Sequence, residues 1–206
     1  KAPELNEIAE KIHQAVEAAE AARGFRRLKM AAFSPFQRLY LKESHLISAE
    51  MERGGEGRYV YFSPDMHMSI LVNEEDHMRL QRLEPGLQFA QAMSRLDTLE
   101  QAMEDRLTFA FHEQYGYLAA CPTNTGTGLR VSIMMNLSAL SLTNTVDEIL
   151  RPIPQYGMTV RGFYGENSEF LGDFYQLSNE TTLGKSEQQI IDELDHVARQ
   201  IVTQEE

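Results

Sequence analysis

Positive charge, cysteine and long apolar runs are all scarce in this sequence. It sets 19 lysines and arginines against 31 aspartates and glutamates, a net charge of -12. General affinity for DNA or RNA rests on a basic surface that neutralises phosphates, so the bulk charge argues against a nucleic-acid partner. A single cysteine, Cys121, rules out an internal disulfide and fits a reducing compartment. No apolar stretch approaches the roughly 20 residues that a membrane-spanning helix needs. The opening Lys1-Ala2-Pro3-Glu4-Leu5 runs into an acidic, alanine-rich stretch rather than a signal-peptide core. Together these absences predict a soluble cytoplasmic protein with no membrane or nucleic-acid partner. Lysine is rare even within the basic set, with 5 against 14 arginines. Arginine is the better residue for a rigid two-pronged grip on phosphate oxygens, and the bias is a weak pointer in that direction.

What is present reads as one domain: 206 residues, 42% apolar and 24% charged, suffice for a single hydrophobic core. Leu5, Ile8, Ala9, Ile12, Ala15, Val16 and Ala19 recur at helical spacing and predict an amphipathic helix over Pro3 to Ala22. Tyr59-Val60-Tyr61-Phe62 and Met68-Ser69-Ile70-Leu71-Val72 flank Ser63-Pro64-Asp65 as a hairpin, after a glycine-rich connection from Met51 to Arg58. Apolar residues every three or four positions predict one long helix from Leu87 to Glu113. Then come a strand at Tyr117-Leu118-Ala119, a turn over Cys121 to Gly128 and a strand over Val131 to Leu137. A short helix over Thr145 to Ile153 is stopped by Pro152 and Pro154, and strands follow at Met158 to Phe163 and Phe174 to Leu177. Ser186 with Gln189 forms a capping box that opens a terminal helix through Ile201. Strands that are mostly sequence neighbours, with helices between groups, predict an α+β fold with a mostly antiparallel sheet.

Four segments place reactive or charged residues at strand ends. Asn73-Glu74-Glu75-Asp76-His77-Met78-Arg79 groups three carboxylates, an imidazole and a guanidinium, and taken alone it reads as a solvated turn. Cys121-Pro122-Thr123-Asn124-Thr125-Gly126-Thr127-Gly128-Leu129-Arg130 lets backbone N–H groups approach an anion while Arg130 adds charge. It lacks the Gly-Lys-Ser/Thr ending of a Walker loop, and its cysteine is structural or reactive on this evidence. Arg161-Gly162-Phe163-Tyr164-Gly165-Glu166 has the composition either of a loop that closes on substrate or of an exposed hairpin tip. His45 stacks on a base or sits satisfied in the core.

In order and spacing, these four segments resemble the guanidino-kinase family that includes arginine and creatine kinases. The cysteine loop is similar to that family's Cys-Pro-Ser/Thr-Asn signature, departing at Thr125, where an aliphatic residue is usual. Asn73 to Arg79, Cys121 to Ser132, Arg161 to Glu166 and Leu183-Gly184-Lys185-Ser186-Glu187-Gln188 resemble the bacterial members that act on arginine in proteins, and Tyr164 stands where metazoan arginine kinases carry a second arginine. The resemblance runs from about Ala9 to Gln204.

It implies ATP and Mg2+ as cofactors. Arg79, Arg130 and Arg161 would hold the phosphates, His45 would lie near the adenine, and Val131, Ser132, Ile133, Met134, Gly162, Phe163, Tyr164 and Gly165 would line the nucleotide site. Glu75 and Glu166 would clamp the acceptor guanidinium, with Glu166 the first choice as base, and Cys121 would lie beside it as a thiolate. No protein metal ligand is implied. The implied partners are proteins presenting arginine, a protease-chaperone system and a stress-gene repressor, with a homodimer in the full-length protein. The family's Ser-x-Arg-x-Arg segment and the bacterial C-terminal domain are expected to lie outside this chain, which would then be a partial catalytic domain. Two alternatives stand beside this reading: a kinase for free arginine or another small guanidino compound, and a non-catalytic module that binds nucleotide or arginine.

Overall fold

The near-continuous apolar runs Tyr59–Phe62 and Met68–Val72 let one sheet bury both of its faces. The computed structural model describes residues 2–162 and 172–206. The chain divides into two compact units, Lys1–Phe109 and Ala110–Glu206. In the first, α1 (Ala2–Ala18) precedes β1 (Arg26–Lys29), α2 (Pro35–Glu43) and α3 (Ala49–Glu52). Strands β2 (Tyr59–Phe62), β3 (Met68–Val72) and β4 (Met78–Arg82) follow, and α4 (Phe89–Glu104) closes the unit. The sheet is an antiparallel meander in the order β1-β2-β3-β4.

Side chains alternate across a strand, so successive residues enter different layers. Tyr61, Met68, Ile70 and Val72 pack with Ala9, Ile12, Val16, Leu99 and Met103 of α1 and α4. Val60, Phe62 and Leu71 pack on the opposite face with Leu41, Leu46, Ile47 and Met51. Ile70, Leu71 and Val72 are fully buried, and each such side chain contributes about 1.5–3 kcal/mol by leaving water.

The second unit begins with a short hairpin, β5 (Phe111–His112) and β6 (Gly116–Tyr117), and continues with β7 (Ser132–Asn136), α5 (Ser138–Leu142) and α6 (Val146–Leu150). Strands β8 (Met158–Arg161) and β9 (Phe174–Asn179) and the helix α7 (Glu187–Glu205) complete it. Its antiparallel sheet has the order β7-β9-β8, so β9 is central, and α7 packs against β9. The expected capping box is present: Ser186 Oγ accepts from the Gln189 amide at 3.2 Å, and the Ser186 amide donates to Gln189 Oε1 at 2.8 Å. Ile190, Ile191, Leu194, Val197, Ala198 and Ile201 form its buried stripe, as the spacing predicts. Among the described residues no helix is long and apolar enough to cross a membrane.

Several boundaries depart from the sequence pattern. The helix expected over Leu87 to Glu113 stops at Glu104. Met103 O accepts from the amides of Arg106 and Leu107 in a closing turn, and Phe111 belongs to β5. The apolar spacing runs on because Leu107 still packs against the α1–α4 core after the helix has ended. The first helix ends at Ala18, and a separate 3-10 turn covers Glu20–Ala22. The strand expected at Tyr117 to Ala119 is Gly116–Tyr117, and the Thr145 to Ile153 helix divides into α6 and a 3-10 turn at Ile153–Tyr156. Pro152 causes that division, because a proline ring cannot continue the preceding helical hydrogen bonds. Strand β1 was not anticipated, since Arg26-Arg27-Leu28-Lys29 has no apolar alternation. Arg27 lies 4.4 Å above the Tyr59 ring, so its charge is placed by a cation–π contact.

Candidate functional site

The first unit carries a hairpin tip and the strand that leaves it. Asn73 takes a left-handed backbone with φ 58°. Its side chain is buried and fully engaged: Nδ2 donates to Leu5 O at 2.9 Å and Gly57 O at 2.7 Å, while Oδ1 lies 3.1 Å from His77 Nδ1. These bonds offset the strain of the turn and fix the tip that presents Glu75, whose side chain is exposed. Arg79 lies on β4, 3.5 Å from both carboxylate oxygens of Glu74, a loose pairing on a half-exposed side chain. On the strand period, Arg79 and Gln81 share a face. Gln81 Nε2 donates to His45 O at 2.8 Å, so His45 and Arg79 belong to the same side of the sheet. Burial pushes the His45 imidazole below its ordinary value, against the Glu43 carboxylate, which raises it. The shift favours the neutral ring.

The second unit carries the cysteine loop. Cys121 precedes a 3-10 turn over Pro122–Asn124, and its Sγ lies 3.0 Å from Thr123 Oγ1. Arg130 donates to Asn124 Oδ1 at 3.0 Å, tying the far end of the loop to its start. Gly126 has φ 124°, and a Cβ there would meet Thr182 O at 2.5 Å and Leu183 Cα at 2.8 Å. Only glycine fits, which explains one of the two loop glycines. Val131 enters β7, and Ser132, Ile133 and Met134 lie within it. Met134 and Arg161 both pair with Gln176 of β9, so Met134 and Arg161, with Ser132 two residues from Met134, share one face of this sheet. Gly162 is buried, next to Arg161. Phe163, Tyr164, Gly165 and Glu166 lie outside the described residues.

Two residues that the sequence reading passed over brace this loop. Asn179, 5% exposed, accepts from the Val131 amide at 2.7 Å through Oδ1 and donates to Leu129 O at 3.0 Å through Nδ2. Thr182, 2% exposed, has its hydroxyl 3.0 Å from Thr123 O and 2.7 Å from Thr125 O. The available signal was a cluster of short polar residues, Ser178-Asn179-Glu180-Thr181-Thr182, directly after an apolar strand. Short polar side chains of this kind can bond backbone groups as well as form turns. Among the described residues no group of three or more histidine, cysteine, aspartate or glutamate side chains is arranged to hold a metal ion.

Two antiparallel sheets, one bearing Arg79 and the other bearing Arg161 beside a Cys-Pro-Thr-Asn loop, define a class. Residues 7–206 match the family described as ATP:guanido phosphotransferase, C-terminal catalytic domain, and the chain belongs to that family. Relatives include a protein-arginine kinase of Halothermothrix orenii, 48% identical over 178 residues, which are 86% of this chain and 51% of that protein. Another, from Geobacillus sp. (strain WCH70), is 44% identical over 181 residues, 88% of this chain and 50% of that protein. The chain therefore spans about half the length of the curated relatives it matches. In fold it is similar to lombricine kinase, with TM-score 0.82 at 24% identity, covering 100% of this chain and 60% of that one. It is also similar to the duplicated taurocyamine kinase of Schistosoma mansoni, with TM-score 0.77 at 24% identity, covering 100% of this chain and 30% of that one.

Proposed function

We propose that the protein carrying this chain transfers the γ-phosphoryl group of ATP to the guanidinium of arginine residues in proteins. The observation that carries the acceptor assignment is the 41–48% identity, over most of the chain, to bacterial proteins named protein-arginine kinase. In this reading Arg79, Arg130 and Arg161 grip the phosphates and His45 lies against the adenine. Val131, Ser132, Ile133 and Met134 line the nucleotide site, with Gly162, Phe163, Tyr164 and Gly165 beyond. Phosphoryl transfer passes through a loose transition state with charge on the equatorial oxygens, so fixed guanidinium groups supply most of the stabilisation. Mg2+ prefers phosphate oxygens and water to an all-protein cage, so the ion would arrive with ATP and neutralise the same charge.

A guanidinium with a solution pKa above ~12 attacks only once a carboxylate takes its proton. Glu75 and Glu166 would clamp the acceptor, with Glu166 the preferred base, and the Cys121 thiolate would orient it electrostatically. A cytoplasmic setting belongs to this reading, since a working thiol needs a reducing compartment. So do a protease-chaperone system that takes up the marked proteins, a stress-gene repressor among the substrates, and a homodimer. The test is phosphorus NMR of the protein with ATP and, in parallel, an unfolded arginine-containing protein or free arginine. A phosphoramidate signal on the protein acceptor is expected. Signal on free arginine alone would replace this reading with that of a small-guanidine kinase, and ATP binding without transfer would leave a binding module.

A further inference from the structure

Asn179 and Thr182 do more than satisfy buried backbone. The pair of hydrogen bonds from the Asn179 carboxamide falls on Leu129 O and Val131 N, the two backbone groups on either side of Arg130. The Thr182 hydroxyl is shared between Thr123 O and Thr125 O, the carbonyls on either side of Asn124. Asn124 in turn receives the Arg130 guanidinium at 3.0 Å. One polar residue thus brackets the backbone of the arginine, and the other brackets the backbone of Asn124, the residue whose side chain the arginine touches. Both are almost fully buried, so neither has water as a substitute partner.

The geometry points to Asn179 and Thr182 as positioning residues for Arg130: together they fix the direction in which its guanidinium meets a nucleotide phosphate. This rests on the reading of Arg130 as a phosphate-binding residue. A long arginine side chain has much rotamer freedom to lose, and holding it in advance spares that loss when ATP binds. Thr182 has a further consequence for the acceptor side, because Thr123 O belongs to the residue whose hydroxyl lies 3.0 Å from Cys121 Sγ. Glu180 and Thr181, between the two braces, make the spacing: three residues carry the chain from the end of β9 to the far side of the loop.

The two roles separate kinetically. In the full protein, Thr182→Val keeps the shape and removes the hydroxyl, and Asn179→Ala removes the carboxamide. Each should raise KM for ATP by about tenfold, the usual scale for a misplaced charge-assisted contact, with a smaller change in kcat. Thr182→Ser, which keeps the hydroxyl, should return KM for ATP toward the parent value. In an Arg130→Ala background, Thr182→Val and Asn179→Ala should add no further rise in KM for ATP, because the group they aim is gone. If Arg130→Ala weakens ATP while the other two variants do not, or if they weaken it equally in both backgrounds, the positioning role is refuted. A fall in kcat alone, the mark of a smaller folded fraction, also counts against it. If Arg130→Ala itself leaves KM for ATP unchanged, the phosphate reading of Arg130 fails and the positioning role fails with it.

Discussion

Single polar side chains decide whether the turns of this protein hold. Asp65, in the β2–β3 turn, receives the Ser63 hydroxyl, the His67 amide at 3.1 Å and Arg82 at 3.2 Å. The Ser63 bond is the largest cause; burial, next in size, opposes it, and the His67 amide and Arg82 add to it, together holding the carboxyl at about 2. The folded value lies below the unfolded one, so the unfolded chain binds more protons across the interval and stability rises with pH there. The Asp65 contribution is therefore complete above about pH 4 and is lost as pH falls toward about 2. Asp65→Asn imitates the protonated side chain. The expected result is a lower urea midpoint than the parent at neutral pH, with the gap closing as pH falls below about 4. A gap that stays constant or widens on acidification would refute the assignment. Asn73 teaches the same lesson without titration: its residue type suits a solvated turn, and only the fold reveals that its amide is buried and engaged by Leu5, Gly57 and His77.

At the scale of elements, α5 depends on a side chain from the far end of α7. Helix α5 is only five residues long, and its N-cap, Leu137, offers no side-chain acceptor. The Glu205 carboxylate takes that place, accepting from the Ala139 amide at 2.7 Å and the Leu140 amide at 3.0 Å. An anion at a helix N-terminus satisfies orphan N–H groups and favours the local dipole. Glu205→Ala should cost about 1 kcal/mol, the ordinary value of a lost cap, read as a lower urea midpoint at unchanged slope. Glu205→Gln, which keeps one acceptor oxygen, should recover part of it, and equal stability in all three proteins would show that the contact contributes nothing. This dependence was invisible in the sequence because 66 positions separate donor from acceptor. What was legible is local. The α7 capping box, its buried stripe and the β2–β3 hairpin all follow from spacing, and α2 was equally open to reading through Ser34, Pro35 and Gln37, its own capping box. Strand β1 hid because Arg26-Arg27-Leu28-Lys29 has no apolar alternation, and β4 hid because only Met78 and Leu80, set between charged and polar residues, mark its buried face. Of the candidate site, the residue types were legible in four short segments, while the braces at Asn179 and Thr182 required the fold, since their partners lie 48 to 59 residues earlier in the chain.

Across the whole molecule, charge is unevenly divided. The unit that contains Cys121 and Glu166 carries 5 lysines and arginines against 13 aspartates and glutamates. In the proposed reaction such an excess would repel ATP at long range, and Arg130 and Arg161 would have to offset it at short range, where contact geometry outweighs the diffuse field. The same excess would attract a cationic acceptor. For the proposed reaction, the field should therefore favour unfolded proteins rich in arginine and lysine over acidic proteins with the same number of arginines. Long-range attraction of this kind is screened within a Debye length of about 10 Å at 0.1 M salt, whereas a guanidinium already seated between carboxylates is screened far less. At saturating ATP, kcat/KM for a basic protein acceptor should accordingly fall by roughly tenfold between low and moderate salt, the lower end of steering effects. For an acidic acceptor it should stay level or rise, and kcat should change little for either. Equal salt dependence for both acceptors would mean that the acidic surface takes no part in acceptor capture and that selectivity resides wholly in contacts at the guanidinium.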